Sequence, residues 1–219
     1  MYFSEDDARQ LNARIRQLEK NTGVELVVVV VAKCDNYPEI PWKAFALGAA
    51  LSALAILLPT LARPDWLSTT STLVHAMVIL GTGTVMALLT VVWPGWARLF
   101  LDKGRAEGEM RQYAQAYFLE NELFALPNRT GILLAIGLFE HQVVILPDSG
   151  VDGRLPAGAL QTVVASMTSE LKRGNRKRAL SLGVGALEAG LQTAGFSPPA
   201  EDSDRIPDAL VQEKGGEDD

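Results

Sequence analysis

Two long stretches without a single Lys, Arg, Asp or Glu constrain this chain most: AFALGAALSALAILLPTLA, residues 44–62, and STTSTLVHAMVILGTGTVMALLTVVWPGWA, residues 68–97. A helix needs about 20 apolar residues to cross a hydrocarbon core about 30 Å thick. Both stretches are long enough, and only RPDWL, residues 63–67, separates them. The expectation is a transmembrane helical hairpin over 43–97, with spans at about 44–62 and 72–93 and both ends on one side of the bilayer. Trp42, Trp66, Trp93 and Trp96 all fall at the expected boundaries, where an indole, apolar in body with one N–H donor, is stable. The competing reading is a pair of buried helices in a soluble core, which seldom lack charge at both ends and the middle together.

The formal net charge of −6 is localised: eight acidic residues between Glu201 and Asp219 face only Arg205 and Lys214, and the rest of the chain is neutral. That balance leaves no basic surface for nucleic acid. The opening MYFSEDDARQ is acidic and polar where a cleavable signal is basic and then apolar. Cys34 is the only cysteine, which excludes an intrachain disulfide and the usual several-cysteine zinc site. Six Lys and Arg residues precede the first span, Arg63 alone lies in the connection, and thirteen follow. The positive-inside rule then puts the connection outside, and both termini and the folded domain in the cytoplasm, at a bacterial inner membrane.

Outside the hairpin the chain reads as α/β. Ser4 with Asp7 suits a helix N-terminus, Leu11, Ile15 and Leu18 recur at helical spacing, and Gly23 ends the pattern. VELVVVVVAKC, residues 24–34, is β-branched and apolar on both faces, as an inner strand requires. Pro38 and Pro41 close that segment ahead of the membrane. Residues 98–124 are helix-prone, and Pro127 stops them. Apolar runs at 131–138 and 142–146 flank a polar turn, which makes a strand hairpin. Helices follow at 157–172 and 176–194. Residues 196–219, acidic and rich in Pro and Gly, read as a disordered tail. The first strand precedes the hairpin and the others follow it, so residues 1–42 and 98–195 form one domain into which the hairpin is inserted. The expected architecture is a small, mostly three-stranded sheet covered by helices.

The opening helix with EKNTGVELVVVV, the pair RTGILLAIGLFEHQVVILPDSGV, and the helical RGNRKRALSLGVGALEAGL together resemble the TPM domain, known from thylakoid-lumen, photosystem-repair and YgcG-like bacterial proteins. The strand-turn-strand segment is the specific part. The inserted helices correspond to a membrane branch of the family. The resemblance implies a cation or phosphate site near the loop after the second strand of that pair. Some TPM domains bind calcium and some act as weak acid phosphatases, and the family's Asp-x-Gly falls on Asp148 and Gly150.

Candidate chemistry is sparse. Asp148 and Asp152 are the candidate ligands of Ca²⁺ or another divalent cation, although Ca²⁺ takes six to eight oxygens and Asp and Gly are also ordinary turn formers. Glu140 and His141 are expected as an exposed pair at the tip of the strand hairpin. His75 lies in the second span, where it either serves function or hydrogen-bonds a Ser or Thr of the partner helix. KRGNRKR, residues 172–178, is a soluble corner or a contact for anionic headgroups. No catalytic residue is identified. The function that the resemblance implies is that of a non-enzymatic accessory or assembly and quality-control factor for other membrane proteins. It has the lipid bilayer and a membrane protein as partners, and Gly48, Gly81 and Gly83 are available for self-association of the hairpin. The alternative is a divalent-cation-dependent, phosphatase-like hydrolase.

Overall fold

The computed structural model describes residues 3–62, 68–156, 158–198 and 211–213. The connection 63–67, with Trp66, and tail residues 199–210 and 214–219 lie outside the described residues. In chain order the elements are α1 (Glu5–Thr22), β1 (Glu25–Val31), α2 (Glu39–Ala62), α3 (Thr69–Val92), α4 (Pro94–Ala97), α5 (Lys103–Glu120), β2 (Gly131–Gly137), β3 (Gln142–Pro147), α6 (Ser149–Asp152), α7 (Ala159–Lys172), α8 (Arg176–Thr193) and β4 (Val211–Glu213). Two compact units result, one of residues 1–35 with 104–219 and one of residues 36–103.

In the first unit, Ser4 Oγ accepts the Asp7 N–H at 3.2 Å, and Glu5, Asp6 and Asp7 complement the positive end of α1. Gly23, at φ 67°, ends the helix with its N–H on Glu19 O at 2.7 Å. Only glycine adopts that left-handed turn without strain, so the chain reverses there into β1. The sheet order is β3-β2-β1-β4. β1 and β2 are parallel, with Glu25 opposite Gly131 through Val31 opposite Gly137, and β2 and β3 form the antiparallel hairpin.

The valine run of β1 is explained by two covered faces. Leu26, Val28 and Val30 enter a core with Leu18 of α1, Met167 of α7 and Leu180 and Val184 of α8. Val29 and Val31 enter another with Met110, Ala114 and Tyr117 of α5. Burying one such valine contributes about 1.5–3 kcal/mol, so a charge at Val28 breaks the layer. α1 and α8 run side by side in the same direction, because Lys177 Nζ donates to Asp7 Oδ1 at one end and Asn21 Nδ2 to Glu188 Oε1 at the other, both at 2.6 Å.

The tail differs from expectation in two places. Phe196 is 7% exposed, a member of the core, with the Arg154 guanidinium 3.8 Å from its ring centroid. Val211–Glu213 forms a fourth strand parallel to β1. Low hydrophobicity predicts no packed core for such a segment, yet Phe196 joins one core of the sheet and Val211 packs against the other.

In the second unit, Glu39–Leu61 and Thr69–Val92 are each long and apolar enough to cross a membrane, with mean hydropathy 2.1 and 1.9 and only 11% of each apolar window buried. Pro41 lies in the first turn of α2, where a proline forfeits no helical hydrogen bond, so the helix begins ahead of it at Glu39. The Ser68 hydroxyl accepts the Ser71 N–H, and the Ser71 hydroxyl accepts the Ser68 N–H, which caps α3. Gly48 and Gly83 are used within the hairpin itself. A Cβ on Gly48 would stand 2.8 Å from Met86 Cγ, and one on Gly83 2.9 Å from the Phe45 ring, whereas Gly81 faces open space.

Candidate functional site

The candidate carboxylates lie where β3 ends. Pro147 closes the strand, the Asp148 N–H donates to Gly131 O at 2.8 Å, and Asp148 caps the single turn α6, its Oδ1 accepting the Ser149 N–H at 2.6 Å. The Asp148 side chain points inward, and the residue is only 4% exposed. Its charge is met by Arg129, whose Nε stands 2.9 Å from both carboxylate oxygens.

Arg129 arrives there through an unusual piece of backbone. Asn128 and Arg129 both occupy the left-handed region, at φ 58° and 57°, a conformation that costs non-glycine residues about 1–3 kcal/mol and persists only where the surroundings impose it. Gly150 is part of that imposition. A Cβ there would stand 2.6 Å from Arg129 O and closer still to Asn128 O. Thus the Thr-Gly and Asp-x-Gly segments, distant in sequence, are clasped together by one ion pair and one glycine. Asp152 lies one turn on from Asp148, its N–H on Asp148 O at 2.9 Å, and is exposed where Asp148 is buried.

As arranged, these groups do not fit a resident divalent ion. A cation at Asp148 would have to displace a guanidinium that hydrogen-bonds Oδ1 and stands 2.9 Å from Oδ2, and among the described residues no three His, Cys, Asp or Glu side chains gather as a metal site. A nucleophilic carboxylate likewise needs an open approach, which Asp148 lacks.

Glu140 departs from the sequence expectation. It is 7% exposed, and its Oε1 accepts the Cys34 N–H at 2.8 Å. The cause is the register of the strand hairpin. Leu138 N donates to Val31 O and Phe139 N to Ala32 O, both at 2.9 Å, which folds the tip against the chain leaving β1. His141, at φ 52°, makes the turn. Cys34 Sγ lies 3.1 Å from Met110 Sδ. Burial foremost, and then the negative charge of Glu140, push the thiol pKa well above its ordinary value, so Cys34 is not a reactive nucleophile at neutral pH.

The basic corner at 172–178 is organised by a residue that composition alone passes over. Glu170 accepts from Arg173 Nη1 at 2.7 Å and Asn175 Nδ2 at 3.0 Å, with Arg178 Nε at 3.7 Å. The Asn175 amide first, and the two arginines after it, hold its carboxyl below the usual range. Its i,i+3 spacing from Arg173 was the available clue. His75 is half-buried in the second turn of α3. A groove of about 400 Å³ between α1 and α8 is lined by Phe3, Leu11, Arg14, Lys177 and Leu180 among others, away from Asp148.

A family model described as the TPM domain matches residues 1–50 and 99–190, the two pieces that flank most of the apolar hairpin. Among solved structures, the chain is similar to the NMR structure of BA42 protein from the psychrophilic bacterium Bizionia argentinensis. The TM-score is 0.57 and the identity 15%, over 97% of this chain and 96% of that one. At that identity the likeness is one of fold. No curated protein matches the sequence.

Proposed function

Given that this chain belongs to the TPM domain family, we propose that it is a membrane-anchored member whose α/β unit binds other membrane proteins as an assembly or quality-control accessory, without catalysis. The observation that carries this reading is where the hairpin enters the chain. Two helices of bilayer length follow β1 and precede α5, so the α/β unit is attached at both Asp35 and Gly104. The two attachments leave the unit side by side, since Arg105 Nη2 is 2.7 Å from Asp35 Oδ2. A domain held twice at one end stays at the bilayer surface, where its partners must also be. The charge distribution favours the cytoplasmic face of a bacterial inner membrane, with residues 63–67 outside.

Topology is tested with single cysteines on a Cys34→Ala background. Thr70→Cys, at the exposed start of α3, should label with an impermeant maleimide in intact cells; Gln112→Cys, exposed on α5, should label only after lysis. The opposite pattern places the α/β unit outside. The accessory role is tested by purifying the full chain in mild detergent and asking for one membrane protein in stoichiometric amount, retained by Asp148→Asn. Turnover of a generic phosphomonoester that vanishes in Asp148→Asn, with the circular dichroism unchanged, would replace this reading with the phosphatase-like one. The burial of Asp148 against Arg129 leads us to expect no such turnover.

A further inference from the structure

One stripe of α1 faces α8 along the length of their contact. Asp7, Arg14 and Asn21 are spaced seven residues apart, which on a helix returns to nearly the same line. Two of the three find side-chain partners on α8, Asp7 with Lys177 Nζ and Asn21 Nδ2 with Glu188 Oε1, both at 2.6 Å. The middle one meets a glycine. A Cβ on Gly185 would stand 3.2 Å from Arg14 Nη2, so the guanidinium lies against α8 where that helix has no side chain. Among the described residues, no oxygen accepts a hydrogen bond from it.

The groove of about 400 Å³ between α1 and α8 includes this guanidinium. Its apolar floor is Phe3, Leu11 and Leu180, all members of the core, and its charged lining is Asp7, Arg14 and Lys177. An apolar concavity of this size with a few polar groups is the usual form of a small-molecule site. Asp7 offsets Lys177, which leaves the single positive charge of Arg14. The groove also has a direction. The chain reverses at Gly23, so Asp7 and Lys177 lie at the end of the α/β unit where β1 finishes and the chain leaves for the apolar helices. From Asp7 to Gln17, the last residue of α1 in the lining, the helix rises about 15 Å. We propose that this groove binds a fatty-acid anion, its carboxylate on Arg14 and its alkyl chain along Leu11, Leu180 and Phe3. A guanidinium holds a carboxylate through two parallel N–H bonds, and the floor covers the chain without stranding a polar group. One negative charge matches the one left over, whereas a phosphate dianion would bring its second charge toward Asp7. A protein with two helices of bilayer length has such single-chain amphiphiles at hand. This goes beyond the accessory reading and does not depend on it.

The probe is dodecanoate with a terminal diazirine, photolysed with the full chain in phosphatidylcholine nanodiscs, and the labelled peptides are mapped by mass spectrometry. Label in the apolar hairpin reports partition into the bilayer and should rise without saturating, which makes it the internal reference. Label at residues 3–17 and 177–182 should saturate. Unlabelled dodecanoate should compete for it, and dodecanol and inorganic phosphate should not. Arg14 is exposed, so Arg14→Gln should leave the melting temperature unchanged, and it should weaken this labelling about tenfold or more through loss of a charge-assisted hydrogen bond. Arg14→Lys keeps the charge and should recover part of it. Label in α1 and α8 that is absent or fails to saturate overturns the proposal, as does labelling of Arg14→Gln equal to that of the native chain. Equal competition by dodecanol overturns it because the anion then has no role, and competition by inorganic phosphate because the groove is then a simple anion site. Saturable labelling that appears only in a chain ending at Pro198 also overturns it, since the occupant is then the acidic tail.

Discussion

Glu140 Oε1 accepts the main-chain N–H of Cys34 at 2.8 Å, so a carboxylate at the tip of the β2–β3 hairpin fastens the chain at the point where it leaves β1 for the apolar helices. Replacing Glu140 with Ala strands a buried donor and should lower stability by about 1–3 kcal/mol, read from denaturant unfolding. Glu140→Gln keeps an acceptor and should cost less. The thiol offers a second readout. Burial and the Glu140 charge both raise the Cys34 pKa, so Glu140→Gln should lower it and speed iodoacetamide alkylation at pH 8. Equal alkylation rates in the two proteins would contradict that coupling.

Glu170 should confer an acid-side pH dependence. Asn175, Arg173 and Arg178 depress its folded-state pKa, so its contribution is complete above the ordinary carboxyl value of about 4.3. It is lost as pH falls through the depressed value, because the unfolded chain takes up the proton first. Melting temperatures of the native chain and Glu170→Gln should therefore converge below pH 4. A gap that stays constant down to pH 3 would show that the charge is not responsible.

Gly150 should tolerate no side chain. A Cβ there would stand 2.6 Å from Arg129 O, against 3.9 Å from the nearest atom at Gly153. Gly150→Ala should destabilise the fold by about 3 kcal/mol or more, within the range seen when backbone must move. Gly153→Ala should change stability by less than about 1 kcal/mol. Similar melting curves for the two variants would mean that the 127–130 segment yields easily.

Gly83 should matter to the hairpin and Gly81 should not. A side chain at Gly83 meets the Phe45 ring at 2.9 Å, while Gly81 has nothing within 4 Å. Small residues let helices approach closely, so Gly83→Leu should force α2 and α3 apart. Proteolysis of the hairpin in nanodiscs should become at least severalfold faster in Gly83→Leu and stay unchanged in Gly81→Leu. If Gly81→Leu instead abolishes a dimer seen in the native chain, the outward face of α3 is an oligomer contact.

Local patterns carried much of this protein into view before any coordinates. The period of Leu11, Ile15 and Leu18, the cap at Ser4, the stop at Gly23 and the charge-free helices all act over a few residues, so neighbouring side chains suffice to express them. The valine run likewise announces two covered faces, since no half-exposed strand would keep β-branched residues on both sides. The family resemblance rests on the same local pieces, the Thr-Gly strand, the turn and the Asp-x-Gly.

What depends on residues meeting across the sequence was not legible. Asp148 reads as a solvated turn residue until Arg129 comes within 2.9 Å of it, and Glu140 reads as an exposed tip until the strand register folds it onto Cys34. Val211 reads as part of an acidic tail until it is opposite Val29. Sequence determined which segments become helix, strand and apolar hairpin, because hydrophobic period and capping are short-range. Tertiary structure alone decided which charges are buried and paired, because the energy of a carboxylate is set by whatever the fold places beside it.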